Sequence, residues 1–569
     1  MAIFEEKQPA VRWIVLLIAA VFLVSFPLVQ IGMNELYSTE GEYAAAALEF
    51  SGANTLITVH GMLPDSVFPL YPALVRVLLD CGLPLEFSLR FMSLLPLGLL
   101  ALLTGLICGR SADRQAGAAA AVVVLTTILA GSKAAEGYPQ LLSVLIVYGG
   151  WMLWFYLGFV RSNWNAAWLS VGFFGGLAFY SNGLTAVVYF LVPLAFQQRP
   201  FTVWTKLRKP GLLAALLLAA VFFFAWLTPI QNFLAANPMP PREASSFRIL
   251  TYFKDIAVRP FDAAFRFFPW SLMLWAPFCP ALIAIERNPL LIKYHRILFV
   301  VLGLLIWFNP YTKPRDFFYL LPVASVLAAC NYWILVRRYA GEFFGIFMLL
   351  SVLVLVGGAA AVAYLMLPQD VFAKFAVGIK LPPEKPAATV LTGAEIVLSF
   401  VSATVAILLI RMRRPVWITY LFVFASFMLL FWAVVNPVRR MDERKKDLAD
   451  GILTALSGKD SAPTGSEPES EPSKGHLPAT LYKDPAIMGL YSEGCYIGIP
   501  IRTLAHDKIP GDVDPAYVLT TDVPSHLART WTRLYDCEYR GKHLYIYKGV
   551  SLKKELSDDD DYYDYYDYE

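Results

Sequence analysis

As far as Asn436, apolar residues fall in runs of about twenty, separated by short charged or Pro/Gly-rich connections. A helix of ~20 apolar residues crosses the ~30 Å hydrocarbon core of a bilayer. The runs predict about thirteen spans, at 12–31, 88–109, 116–131, 139–160, 164–180, 183–197, 211–234, 268–286, 297–309, 317–335, 343–367, 390–410 and 416–435. The first run follows Lys7 and Arg12 as in a signal peptide. Its bulky end, Phe26-Pro27-Leu28-Val29-Gln30, offers no small-residue cleavage site, so it reads as a retained helix.

Beyond Asn436 the pattern changes. Residues 437–476 hold a charged helical stretch, Arg439 to Asp450, and then a Ser/Pro/Glu/Gly-rich linker. Residues 477–550 read as a compact α/β domain, with strands at 479–482, 516–520 and 543–547 and a helix over 525–535. Residues 551–569 end in alternating aspartate and tyrosine and read as a disordered acidic tail. The expected fold is a mainly α polytopic membrane protein with a small α/β C-terminal domain.

Composition supports this. The chain is 57% hydrophobic and 16% charged, with a mean hydropathy of +0.54. Soluble domains run ~45–50% apolar and ~25% charged. A net charge of +3 leaves no electrostatic footprint for nucleic acid, and the bilayer is the main partner. Cys108, Cys279 and Cys330 lie in or at the ends of apolar runs as small hydrophobes, and Cys81 stands alone in a loop. Cys495 and Cys537 share the C-terminal domain, where an oxidising compartment would permit a disulfide.

Lysine and arginine in short loops set orientation. With a cytoplasmic N-terminus, every inside loop is basic: Arg110 and Arg114; Arg161; Arg199, Lys206, Arg208 and Lys209; Arg287, Lys293 and Arg296; Arg337 and Arg338; Arg411, Arg413 and Arg414. An odd number of spans then puts the C-terminal domain outside. No Asn-x-Ser/Thr sequon occurs, which favours a bacterial inner membrane.

Two outside loops are also basic, against that rule. Residues 235–267 carry Arg242, Arg248, Lys254, Arg259 and Arg266, and Asn309-Pro310-Tyr311-Thr312-Lys313-Pro314-Arg315-Asp316 carries two more cations. A phosphate would hold cations there, and so would ordinary lipid headgroups. The long outer loop 32–87 is acidic, and Glu42, Ala46 and Glu49 share one face of a helix expected to lie along the membrane surface.

The sequence has no P-loop, no GxGxxG after a strand, no HExxH and no GxSxG. Nucleotide-driven chemistry is thereby set aside, and carboxylates and cations in the outer loops are left to do the work.

Four stretches resemble the GT-C class of polytopic glycosyltransferases, in particular the bacterial aminoarabinose transferase and protein O-mannosyltransferase group. Tyr37-Ser38-Thr39-Glu40-Gly41-Glu42-Tyr43-Ala44 is similar to the acidic D-E-x-R-Y-A loop after the first span. Pro69-Leu70-Tyr71-Pro72, followed by Glu86-Phe87-Ser88-Leu89-Arg90, resembles the family's Pro/Tyr-rich loop and its acid-to-arginine helix start. Phe268-Pro269-Trp270-Ser271 resembles a Pro-Trp helix opening. Lys313-Pro314-Arg315-Asp316-Phe317-Phe318-Tyr319-Leu320-Leu321-Pro322 resembles the K-x-x-x-Y-x-L-P stretch. Thr39 stands at the leading aspartate, Glu42 at the arginine, and Ser181-Asn182-Gly183-Leu184 where the family carries T-K-G-P.

The resemblance implies sugar transfer from a polyprenyl-phosphate carrier to a lipid, glycan or protein acceptor at the outer face. The expected base is Glu40, with Glu42 second and Glu136 third. Lys313, Arg315, Arg242, Arg248 and Tyr319 are the expected donor-binding residues. Cations, or a bound divalent metal, would stabilise the departing phosphate. Two other readings fit the same spans: a lipid or solute transporter, and a non-catalytic relative that binds lipid or a partner.

Overall fold

The computed structural model describes residues 11–26, 31–32, 34–37, 40–52, 55–64, 66–197, 203–237, 249–367, 389–437, 445–457, 477–485, 487, 489–504, 513–522, 529–539 and 542–551. They fall in two compact units. One comprises Met1–Asn34, Phe68–Thr228 and Arg242–Glu443, the other Glu35–Val67, Pro229–Pro241 and Arg444–Glu569.

The first unit is helical. Among the described residues eight helices are long and apolar enough to cross a membrane: Leu85–Ser111, Gln140–Val160, Trp164–Ala195, Gly211–Ala236, Pro289–Phe308, Tyr332–Met366, Val390–Arg411 and Val416–Val435. Arg12–Ser25 and Arg114–Leu125 are shorter apolar helices. Polar residues mark where helices begin. The side chains of Asp113, Asn163, Asn288 and Thr389 each accept from the backbone N–H three residues on, satisfying one orphan donor of a first turn.

Burial separates inner helices from lipid-facing ones. Two thirds (67%) of the most apolar part of Gln140–Val160 is buried, against 11% for Gly211–Ala236, so the first is central and the second faces hydrocarbon. Leu85–Ser111 and Arg114–Leu125 pack through glycine. A Cβ on Gly117 would stand 2.7 Å from the Gly105 carbonyl oxygen, so only glycine permits this approach.

The expected spans differ from the structure in continuity. Residues 164–180 and 183–197 form helix on both sides of a break at Asn182 and Gly183, where Gly183 has φ of 63°. A Cβ there would meet the Phe68 ring, so the break needs glycine. The run at 268–286 is no continuous span. It forms short turns at Trp270–Met273, Ala276–Phe278 and Pro280–Ile283, because Pro269, Pro277 and Pro280 interrupt the hydrogen-bond ladder. Residues 317–335 likewise begin as a 3₁₀ turn, Pro314–Leu320, before Leu321–Cys330.

The second unit holds a five-stranded sheet of order β2-β1-β3-β5-β4, with β1 Leu481–Lys483, β2 Ile501–Thr503, β3 Ala516–Thr520, β4 Arg529–Tyr539 and β5 Lys542–Ser551. Strand β1 lies parallel to β2 and β3, while β3, β5 and β4 run antiparallel. Leu481, Ile501, Leu519, Leu544 and Ile546 form its core with Ala449 and Ile452 of the Lys445–Leu456 helix.

Residues 529–535, expected as helix, belong to β4. The Thr- and aromatic-rich run from Arg529 to Tyr539 suits a pleated strand, and β5 supplies its partner. The surface helix expected around Glu42 exists as Glu40–Glu49, but protein covers most of it, from Glu40 to Ala47 apart from Glu42. It packs on the Tyr491–Ile497 helix, where a Cβ on Gly41 would collide with Ser492. Cys495 and Cys537 are free thiols. The expected linker from residue 458 to 476 and the acidic tail from residue 552 lie outside the described residues.

Candidate functional site

One polar cluster of the first unit is built on Lys313-Pro314-Arg315-Asp316. Pro314 opens the 3₁₀ turn with its φ already set, and Asp316 closes it. The Asp316 carboxylate accepts from the Lys313 N–H at 2.8 Å, and the Asp316 N–H donates to the Lys313 carbonyl at 2.9 Å. This reciprocal pair leaves the Lys313 ammonium exposed, with no ion-pair partner among the described residues. Asp316 itself is buried. Burial pushes its carboxyl up to about 6, opposed by the Lys313 N–H and the charges of Lys313, Arg315 and Arg259.

Arg315 joins two elements that the sequence keeps far apart. Its Nη2 donates to Glu136 Oε2 at 2.7 Å, and its guanidinium lies over the Tyr138 ring, 3.2 Å from the centroid. Lys133 Nζ donates to the other oxygen, Glu136 Oε1, at 2.8 Å. Two cations therefore share one carboxylate whose side chain is only 9% exposed. The Nε of Arg315 is shielded and has no hydrogen-bond partner among the described residues. The cluster carries surplus positive charge and one unspent donor.

On the same turn Tyr319 forms a second node. Its hydroxyl meets Ser143 Oγ at 2.6 Å and accepts from Asn182 Nδ2 at 3.2 Å. Asn182 can reach it because the helix breaks there. The Tyr319 ring stands edge-on to Tyr189 at 5.0 Å, and the Tyr189 hydroxyl accepts from Asn309 Nδ2 at 3.1 Å. Tyr189, Asn309 and Thr185 are the polar members of a groove of about 640 Å³, lined otherwise by apolar residues including Leu184, Val188, Val192 and Leu305. The turn that carries Lys313 and Arg315 is thus linked to an apolar groove through the ring pair Tyr319 and Tyr189.

The remaining outer cations divide. Arg259, on the amphipathic helix Ile249–Arg266, donates through Nη1 to the carbonyls of Trp307 and Asn309 at 2.7 and 2.6 Å. These carbonyls end the Pro289–Phe308 helix, so Arg259 caps it. Arg266 pairs with Asp262 at 2.8 Å. Lys254 is exposed, and Arg242 and Arg248 lie outside the described residues.

The expected catalytic acids are split between the units. Glu136 belongs to the cation cluster. Glu40 and Glu42 lie in the second unit, in the first turn of Glu40–Glu49. Glu40 is fully buried and accepts from the Tyr37 N–H at 2.9 Å, whereas Glu42 is half-buried. Among the described residues no group of three or more His, Cys, Asp or Glu converges as a metal centre requires.

Glu136, Lys313, Arg315 and Tyr319 are candidates from the sequence, and the fold brings Lys133, Ser143, Asn182, Tyr189 and Asn309 to them. The three-residue step from Lys133 to Glu136 was a readable signal. The contacts of Arg315 with Glu136 and of Tyr319 with Ser143 join positions 179 and 176 apart, and nothing local announces them.

No protein-family model matches the chain, and no curated protein matches it. Solved structures do. A crystal structure of ArnT from Cupriavidus metallidurans in the apo state aligns with a TM-score of 0.65 at 15% identity, covering 94% of this chain and 98% of that one. The chain has the ArnT fold. ArnT from the same organism bound to undecaprenyl phosphate aligns with a TM-score of 0.63 at 16% identity, covering 95% and 98%. ArnT is a GT-C glycosyltransferase, so the resemblance read from four short motifs holds at the level of the fold.

Proposed function

We propose that the protein is a membrane glycosyltransferase that moves a sugar from a polyprenyl-phosphate-linked donor to an acceptor at the extracytoplasmic face. The observation that carries this reading is that the turn holding Lys313 and Arg315 also holds Tyr319, whose ring packs on Tyr189 of the apolar groove, on a fold shared with ArnT that binds undecaprenyl phosphate. A polyprenyl tail suits the groove, and a phosphate suits the cations. The basic inside loops support placing this face outside, in a bacterial inner membrane with the N-terminus cytoplasmic.

In the proposed reaction a carboxylate takes the proton of the acceptor hydroxyl as its oxygen attacks the anomeric carbon of the sugar. The bond from that carbon to the phosphate oxygen breaks, and the electron pair leaves with the polyprenyl phosphate. Its charge rises by one, and Arg315, Lys313 and Lys133 stabilise it. Glu136 is a positioning residue here, since both its oxygens already hold cations. Tyr319 orders the floor of the site through Ser143 and Asn182.

The test is direct. The purified protein, reconstituted in lipid, is given a panel of undecaprenyl-phosphate-linked pentoses and hexoses with membrane extract as acceptor. Release of bare undecaprenyl phosphate, abolished in a Lys313→Ala/Arg315→Ala double variant, is the expected result. Binding of undecaprenyl phosphate with no turnover of any sugar would leave a lipid-binding protein and remove the enzyme.

A further inference from the structure

The helix Gln140–Phe155 starts beside the cation cluster, and its first residue is out of character. Gln140 is 7% exposed, and its Oε1 is shielded and has no hydrogen-bond partner among the described residues. A buried amide oxygen left unpaired is destabilising, which makes it a candidate to meet a ligand. The residue stands three positions before Ser143, so the two lie side by side on one helix face. Ser143 bonds the Tyr319 hydroxyl at 2.6 Å, which fixes that face towards the Pro314–Leu320 turn. The same turn holds the second unspent group of the site, Arg315 Nε.

We infer that Gln140 is a specificity-determining residue that reads a hydroxyl of the donor's sugar. The inference rests on the donor reading above. The two unmade hydrogen bonds differ in kind, as the two halves of such a donor do. Arg315 Nε is a charged donor and takes a phosphate oxygen. The Gln140 amide is neutral and carries both an acceptor and donors. A sugar hydroxyl both donates and accepts, so it complements the amide whichever end faces it. A phosphate oxygen would leave the amide oxygen unpaired, and an isoprene chain would leave both ends unpaired. A site built to hydrogen-bond a hydroxyl also rejects ligands that lack it, which makes Gln140 a filter for sugar identity.

The test is Gln140→Met, which keeps length and removes the amide. Undecaprenyl phosphate, bare or linked to the best-bound sugar of the panel, is titrated against parent and variant in lipid nanodiscs. Bare lipid should bind both proteins equally, while the sugar-linked lipid should bind the variant at least tenfold more weakly. A sugar lacking the hydroxyl that is read should bind parent and variant alike. Without ligand the variant should melt at or above the parent's temperature, because it no longer buries an unpaired amide. Equal affinities of parent and variant for both lipids, or an equal loss for both, would overturn the inference. So would a lower melting temperature with unchanged affinities, the signature of an amide already paired. A parent that binds neither lipid would overturn the donor reading itself, and this inference with it.

Discussion

Arg315 sits over Tyr138, its guanidinium carbon 3.2 Å from the ring centroid, while its Nη2 holds Glu136 at 2.7 Å. The cation–π contact and the ion pair together fix a long side chain that would otherwise lose ~2 kcal/mol of rotamer entropy on binding a ligand. The cation is therefore aimed before any phosphate arrives. That is how a phosphate site gains affinity without adding contacts.

Glu136 balances two cations, so replacing it should free them. Glu136→Gln keeps the shape and removes the charge. Affinity for undecaprenyl phosphate should rise several-fold, since an internal competitor has gone. Thermal stability should fall by about 1–3 kcal/mol as the two part-buried cations lose their counter-ion. Turnover should stay within tenfold of the parent. A loss of ~10²–10⁴ in turnover with unchanged donor affinity would assign Glu136 the role of general base instead.

Lys313 and Arg315 should contribute unequally. The Lys313 ammonium is free to approach a phosphate, while Arg315 must share its charge with Glu136. Each charge-assisted bond lost should cost about 1.5–3 kcal/mol. Lys313→Ala should weaken donor binding roughly tenfold or more by that measure. Its effect should shrink as salt rises, because the group is exposed. Arg315→Ala should also unseat Glu136 and Lys133, so its melting temperature should drop while that of Lys313→Ala holds. Normal affinity in the folded double variant would return both residues to headgroup contacts.

How much of this was legible depended on the distance over which each signal acts. Span positions follow from local hydrophobic runs, and helix occupies part of each expected stretch. What failed was continuity. Pro269, Pro277 and Pro280 outweigh the apolar content of 268–286 and turn it into short segments. The run at 525–535 looked helical by spacing, yet pairing with β5 gives residues 529–539 a strand, a tertiary effect absent from any local window. The site was legible where its residues cluster in one loop, as from Lys313 to Tyr319. It was illegible where a helix break brings Asn182 to Tyr319, because only the fold places those residues together.

Asp316 gives the site a pH dependence of definite sign. Its carboxyl sits at about 6 in the folded protein, raised from an ordinary 3.8 by burial. Between those values the folded protein binds more protons than the unfolded chain. The contribution of Asp316 to stability therefore falls as pH rises through that window, and is level above it. Above pH 6 Asp316 also puts a negative charge beside Lys313 and Arg315. Affinity for a sugar-linked undecaprenyl phosphate, a diester whose single charge is constant over this range, should thus be higher at pH 5 than at pH 7. Asp316→Asn keeps an acceptor for the Lys313 N–H and should flatten the profile at the low-pH affinity. A step of the same size in Asp316→Asn would place the titrating group elsewhere.

Burial distinguishes the two candidate proton acceptors of the Glu40–Glu49 helix. Glu40 matches the family's acidic loop most closely, but it is fully buried and its carboxylate accepts the Tyr37 N–H at 2.9 Å. A helix start also favours acids through its dipole, so Glu40 has a sufficient structural reason to be there. Glu42 is half-buried in the same turn, and a base must come within ~2.6–3.2 Å of the proton it removes. Glu42→Gln should therefore cut turnover by ~10²–10⁴ with donor affinity near that of the parent. Glu40→Gln should instead lower the melting temperature, because a charged acceptor of a backbone N–H becomes a neutral one, and turnover should fall only in proportion to folded protein. The opposite pattern, a stable Glu40→Gln without activity beside an active Glu42→Gln, would move the base to Glu40 and require that the first turn opens to admit the acceptor.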